Sequence, residues 1–158
     1  MKRIGAEIKF MPNAMSARFI GALIPEGVVT PYIQELRFRL GDDVEPLISC
    51  HHARYGDSHH VTLINPLELP NIDPSLIEGV IGQKVFIDLV GLGEVKSLHN
   101  DYKSYFIVCY SKEMLALRRR LTATVHDFHV TLGFKDVDLH GVPKGMSTLL
   151  KRVGKIQN

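Results

Sequence analysis

The tetrapeptide HVTL occurs twice in this chain, at 60–63 and at 129–132. In an extended strand, side chains alternate between faces. His60 and Thr62 therefore share one face and Val61 and Leu63 the other, and His129, Thr131, Val130 and Leu132 repeat the arrangement. Each copy carries a polar pair on one side and an apolar anchor on the other. A fold that holds both must seat two half-buried strands from distant parts of the chain.

The surroundings repeat as well. ARFIGALIP (17–25) reads as a strand ended by proline, and SYFIVCY (104–110) as another. After the first, Thr30 and Pro31 predict a helix start, with Ile33, Leu36 and Leu40 on one stripe and Gly41 as its stop. After the second, Ser111 caps the predicted helix KEMLALRRRL, whose apolar stripe is Met114, Leu117 and Leu121. Each half thus runs strand, helix, HVTL strand. In the first half a polar stretch, GDDVEPLISCHHARYGDS, reads as a long loop before the motif.

Asp73 and Pro74 open a short helix, PSLIEGVIG. KVFIDLVGL (84–92) reads as a strand, joined by the turn HNDYK to SYFIVCY. The tail after Pro143 reads as helical, with Met146, Leu149, Leu150 and Val153 on one face. These elements predict an α+β fold. It is bilobal and duplicated, with two mostly antiparallel sheets around a central cleft and flanking helices. All of 1–158 is read as one domain with its core over about 17–150, a length that can bury a core.

Composition narrows the function classes. Hydrophobic residues make up 45% and charged residues 23%, and net charge is +2 with histidines neutral. That is globular composition without the basic excess of a strong nucleic-acid binder. No apolar run suits a signal peptide or a membrane span, so a cytoplasmic location is expected. Cys50 and Cys109 are then reduced thiols.

Two imidazoles and two hydroxyls suit a phosphodiester. Neutral histidine takes a proton from water or a sugar hydroxyl, and histidinium gives one to the departing oxygen. An ordinary imidazole pKa of about 6.5 lets both forms exist near neutrality. Threonine hydroxyls donate to non-bridging oxygens as they gain charge. None of these roles needs a metal or other cofactor. Four further residues are candidate substrate contacts: Tyr55 in the polar stretch, Phe134 at the end of the second motif, and His140 and Lys144 in DVDLHGVPKG. Phe134 is read on the motif face, where it stacks on a base or closes the core. His59 and His126 are read as structural or peripheral, and His51 and His52 as solvated loop residues. Asp127 is read beside His129 on the strand. The run Arg118–Arg120 is read as a solvated helix face.

The doubled His-x-Thr pattern resembles the 2H phosphoesterase superfamily. HHVTLINP and HVTLGFKDVDLHGVPKG are most similar to its Swiss-army-knife RNA-repair-like branch, alongside the 2′–5′ RNA ligase-like cyclic phosphodiesterases. The resemblance implies a bilobal fold and metal-free hydrolysis of 2′,3′-cyclic phosphates or related cyclic or 2′–5′ ribonucleotide esters, in RNA repair or processing. It maps a catalytic quartet onto His60, Thr62, His129 and Thr131. The expected partner is an RNA end or a small cyclic or 2′–5′ nucleotide, with no membrane. Some relatives carry an arginine just after the second motif. This chain has Leu132, Gly133 and Phe134 there, so a cationic contact must come from elsewhere.

Two other readings have sequence support. A non-catalytic RNA- or nucleotide-binding module fits the mildly basic balance. A metal hydrolase built on the paired histidines is the weaker one, because no acidic residue completes a ligand set at recognisable spacing.

Overall fold

The structure is a computed structural model that describes residues 1–12, 18–122 and 124–151. Among these residues, seven strands and four helices run in the order β1 (Lys2–Glu7), β2 (Lys9–Pro12), β3 (Arg18–Ile24), α1 (Glu26–Leu40), α2 (Val44–Tyr55), β4 (His59–Ile64), α3 (Pro74–Glu78), β5 (Lys84–Lys96), β6 (Lys103–Tyr110), α4 (Lys112–Leu121) and β7 (Phe128–Phe134). They form two sheets, ordered β1-β5-β6-β7 and β2-β3-β4, with every strand pairing antiparallel. The α+β class and the two-sheet, duplicated architecture expected from the sequence are both present.

The repeat is explicit in the register. Leu23 and Gly21 of β3 pair with His60 and Thr62 of β4. Val108 and Phe106 of β6 pair with His129 and Thr131 of β7. In each sheet the pairing then slips by one residue. Ile20 meets Ile64, which leaves Leu63 extra, and Tyr105 meets Gly133, which leaves Leu132 extra. The same leucine of each HVTL copy is therefore a β-bulge, which bends its strand just past the threonine.

The two motif strands are the terminal strands of their sheets, and β4 and β7 lie against each other without a ladder between them. One apolar cluster runs beneath both. It includes Val61 and Leu63 from the first copy, Val130 and Leu132 from the second, and Met114, Leu117 and Leu121 from α4. The last three are the stripe expected for that helix. Its cap also holds: Ser111 accepts from the Met114 amide at 3.1 Å and donates to the Phe86 carbonyl at 2.7 Å.

Several sequence expectations need correction. The polar stretch before the first motif is a three-residue turn, Gly41–Asp43, followed by α2. Val44, Leu47 and His51 make the buried stripe of α2, so one of its three inward positions is a histidine. This helix packs on β7 of the other half. A Cβ on Gly133 would sit 3.0 Å from the Leu47 backbone, so a larger residue would push α2 and β7 apart by a few tenths of an ångström. α1 begins at Glu26, directly after Pro25, and Pro31 lies inside it. Thr30 does not cap it but donates to the Glu26 carbonyl at 2.9 Å. Two strands, β1 and β2, precede the expected core. As far as residue 151 the tail is not a long helix: after a single turn at Met146–Thr148 the chain runs beside β5, with Leu150 N donating to Leu92 O at 2.9 Å. Val153 lies outside the described residues.

Candidate active site

His60, Thr62, His129 and Thr131 all line one cleft of about 760 Å³ between the two sheets. Antiparallel pairing sets their faces, the bulges end them, and the abutting edges of β4 and β7 bring the two pairs together. Tyr55, His140 and Lys144 line the same cleft. Phe134 does not. The Leu132 bulge does return it to the motif face, where strict alternation would not have put it. It is buried there, however, with its ring 6.5 Å from Tyr55 and edge-on. Phe134 backs Tyr55 from outside the cleft's lining.

His60 packs between aromatic rings, 4.8 Å from Phe19 and 5.6 Å from Tyr55. Burial pushes its pKa down to about 4, with help from neighbouring His59 and against the pull of Asp138. His129 stands edge-on to Phe106 at 5.7 Å. Burial first, and the Lys144 ammonium second, hold it well below the ordinary imidazole value, while Asp138 opposes them. A proton on His60 would lower His129 further, so the two sites feel each other across the cleft. With no anion beside them both imidazoles are neutral at pH 7. An entering anion reverses part of this, because a nearby negative charge favours the imidazolium.

The two halves differ at their threonines. Thr62 makes no hydrogen bond through its side chain among the described residues, so its hydroxyl is available to a ligand. The Thr131 hydroxyl instead donates to Asp138 at 3.3 Å. Asp138 also accepts from Ser104 Oγ at 2.8 Å and from Lys144 Nζ at 3.2 Å. Ser104 in turn accepts from the Leu139 amide at 2.9 Å, which fixes the loop that carries Asp138. Asp138 and Lys144 form a buried ion pair, 2% and 4% accessible. Lys144 is thus a cation at the second motif in a chain that lacks an arginine there.

Neither Asp138 nor Ser104 was singled out by sequence reasoning. The signal for Asp138 was slight, an acid between the second motif and the two candidate contacts His140 and Lys144. Ser104 carried none, being one hydroxyl at the start of an apolar strand.

The chain belongs to the 2H phosphoesterases. The family description "Swiss Army Knife, 2H phosphoesterase domain" matches residues 25–140, which hold both motifs, β4, and β5 to β7. No curated protein and no solved structure gives a significant match. Among the described residues of this 2H phosphoesterase, no three His, Cys, Asp or Glu side chains gather as a metal site, and no helix is long and apolar enough to cross a membrane.

Other sequence assignments resolve by position. His51 is not a solvated loop residue: it is 3% accessible in α2 and stacks on His59 at 4.7 Å. His59 is buried, and its Nδ1 has no hydrogen-bond partner among the described residues. His52 is exposed and pairs with Asp57 at 2.9 Å. Asp127 precedes β7 and is not beside His129 on a strand. Its carboxylate lies against Gly145, where a Cβ would come within 2.6 Å of Oδ1.

Arg118 is the largest departure. It is 1% accessible and not part of a solvated face. Its guanidinium donates to the Leu63 carbonyl at 2.7 Å, to both Glu68 oxygens at 3.1 and 2.8 Å, and to Thr124 Oγ1 at 2.7 Å and its carbonyl at 3.2 Å. One side chain thereby ties the bulge after the first motif to the segment leading into the second.

Proposed function

We propose that this chain is a metal-independent phosphodiesterase that hydrolyses a 2′,3′-cyclic phosphate or a related cyclic or 2′–5′ ribonucleotide ester. The observation that carries the reading is the convergence of two His-Thr pairs on one cleft, from the abutting edges of two sheets. One neutral imidazole takes a proton from water as its oxygen attacks phosphorus. The bond to the departing sugar oxygen breaks, and the other ring, as imidazolium, gives that oxygen a proton. Atoms and charge balance: water and a cyclic diester yield a monoester and a free hydroxyl, and the histidines end with their protons exchanged.

Thr62 donates to a non-bridging oxygen, and Lys144 supplies the positive charge that these oxygens need as the transition state forms. Thr131 holds the Asp138–Lys144 pair in register and turns to the phosphate when the anion arrives. Tyr55 and His140 border the substrate. The role in RNA repair or processing and the cytoplasmic location belong to the same proposal and rest on the substrate class.

The test is turnover of a nucleoside 2′,3′-cyclic phosphate by purified protein in excess chelator. His60→Ala and His129→Ala should each lower kcat by about a hundredfold or more, with unchanged circular dichroism. Near-normal turnover by the double replacement would remove the proposal, and rescue of a chelated, inactive protein by a divalent metal would replace it with a metal-dependent one.

A further inference from the structure

The cleft's mouth differs in character from its floor. Pro66 and Leu67 come after the first motif, Val125 precedes the second, and Val142 projects from the loop beyond it; all four line the opening. Leu67, Val125 and Val142 are 86%, 65% and 42% accessible. Exposed apolar side chains converging from three segments on one opening mark a contact surface. Two of these segments are held firmly. Asn65 Oδ1 accepts from the amides of Leu67 and Glu68 at 2.9 and 2.8 Å, and Arg118 grips Glu68 and Thr124. Leu67 and Val125 are therefore set in place before any ligand arrives.

Charge points the same way. Among the described residues, the cleft's lining holds two basic side chains, Arg54 and Lys144, and two acidic ones, Asp127 and Asp138. Lys144 is already paired with Asp138, and Arg54 donates to the Tyr55 hydroxyl at 3.1 Å at the cleft's edge. Neither Arg119 nor Arg120 reaches the lining. A nucleic-acid strand needs a track of cations along its phosphates. The opening here offers hydrocarbon instead. A single negative charge matches this balance once one imidazole is protonated beside it.

We infer that the cleft takes a small, singly charged phosphodiester whose base packs into the apolar opening, and that it does not read the end of an RNA chain. This rests on the quartet's reading as the phosphate site. The base supplies a flat, largely apolar face for Leu67, Val125 and Val142, and the diester descends to the histidines.

The experiment compares three substrates: adenosine 2′,3′-cyclic phosphate, base-free ribose 2,3-cyclic phosphate, and an RNA octamer ending in the same cyclic adenosine. Their kcat/KM is measured from about 50 to 500 mM salt. The octamer should gain no more than about threefold over the mononucleotide, with a log–log salt slope no steeper than about −1. The base-free compound should lose about tenfold or more, and Leu67→Ser should narrow that preference by about threefold. A gain of about tenfold or more for the octamer, with a slope steeper than about −3, would overturn the inference. If nothing is hydrolysed, calorimetric titration with the same three compounds separates the two claims. Mononucleotide binding that exceeds base-free binding keeps the inference while the hydrolytic reading falls. Tighter binding of the octamer by an order of magnitude overturns it alone.

Discussion

Replacing Asp138 by asparagine isolates one charge while keeping the side chain's shape. Three donors converge on the carboxylate: Ser104 Oγ at 2.8 Å, Lys144 Nζ at 3.2 Å and Thr131 Oγ1 at 3.3 Å. An amide retains one acceptor oxygen and presents an N–H₂ group to the rest. The Lys144 ammonium, 4% accessible, is left without its counter-charge. Removing one partner of a buried pair costs about 3–5 kcal/mol. The lower end applies here, because burial already holds Lys144 below its ordinary value of 10.5 and it can shed its proton. With a urea m-value of about 2 kcal/mol/M, a loss of about 3 kcal/mol lowers the unfolding midpoint by about 1.5 M.

The pH dependence has a definite sign. The Asp138 carboxyl is held below its ordinary 3.8 in the folded chain, chiefly by Lys144 and the Ser104 hydrogen bond acting against burial. Its contribution is therefore complete above the ordinary carboxylate range and is lost as pH falls through the lower folded value. At the alkaline end the pair disappears when Lys144 deprotonates, which happens below its unfolded value. The gap between wild type and Asp138→Asn should be widest near neutrality and close on both sides. Urea denaturation at several pH values reads it directly. The basic limb of kcat/KM should move to lower pH in the variant, because Lys144 loses its charge sooner. Equal midpoints at pH 7, or a gap that widens steadily with rising pH, would refute the reasoning.

Two more outcomes concern buried groups. Arg118→Met strips five hydrogen bonds from the link between the motif flanks and should cost about 3 kcal/mol or more; Arg118→Lys should recover only part of this, since an ammonium cannot reproduce the fork, and a chemical-denaturation midpoint for Arg118→Met equal to wild type would contradict the linkage. Burial lowers His51 to about 4 and lowers His59 as well, so the unfolded chain binds the extra protons and stability should fall as pH drops from about 6.5 towards 4; thermal melts of His51→Leu should show a fall shallower by about one proton, and an unchanged slope would mean that His51 is not the group responsible.

The features legible in the sequence divide from the rest along physical lines. Strand periodicity at HVTL, the Ser111 cap and the α4 stripe are local signals, and each appears where expected. α2 was missed because its inward positions are Val44, Leu47 and His51. A histidine filling a core position breaks the apolar pattern that marks a helix, and the Gly56 that ends it reads as a loop residue. Arg118 was misread for the converse reason. The two arginines after it advertise a solvated face, while its burial depends on Glu68 and Leu63, which no local pattern ties to it. Asp138 depends likewise on Ser104, far away in the chain.

The bulges explain why a duplicated tetrapeptide can build a site at all. A regular strand would carry its polar face onward past the threonine, to Ile64 in one copy and Gly133 in the other, and no turn would separate catalytic face from core. The extra leucine interrupts the alternation at the same point in both copies. Ile64 is thereby turned into the core, Phe134 is buried behind Tyr55, and each strand presents one histidine and one threonine to the cleft. Beyond that point the halves diverge further. The first continues into the Asn65 turn and its apolar lip, and the second into the loop that delivers Asp138 and Lys144. Chemistry common to both copies comes from the repeated strand; charge and selectivity come from the unlike segments that leave it. Exchanging the segments after the bulges should therefore alter which ester is chosen before it alters whether an ester is cleaved.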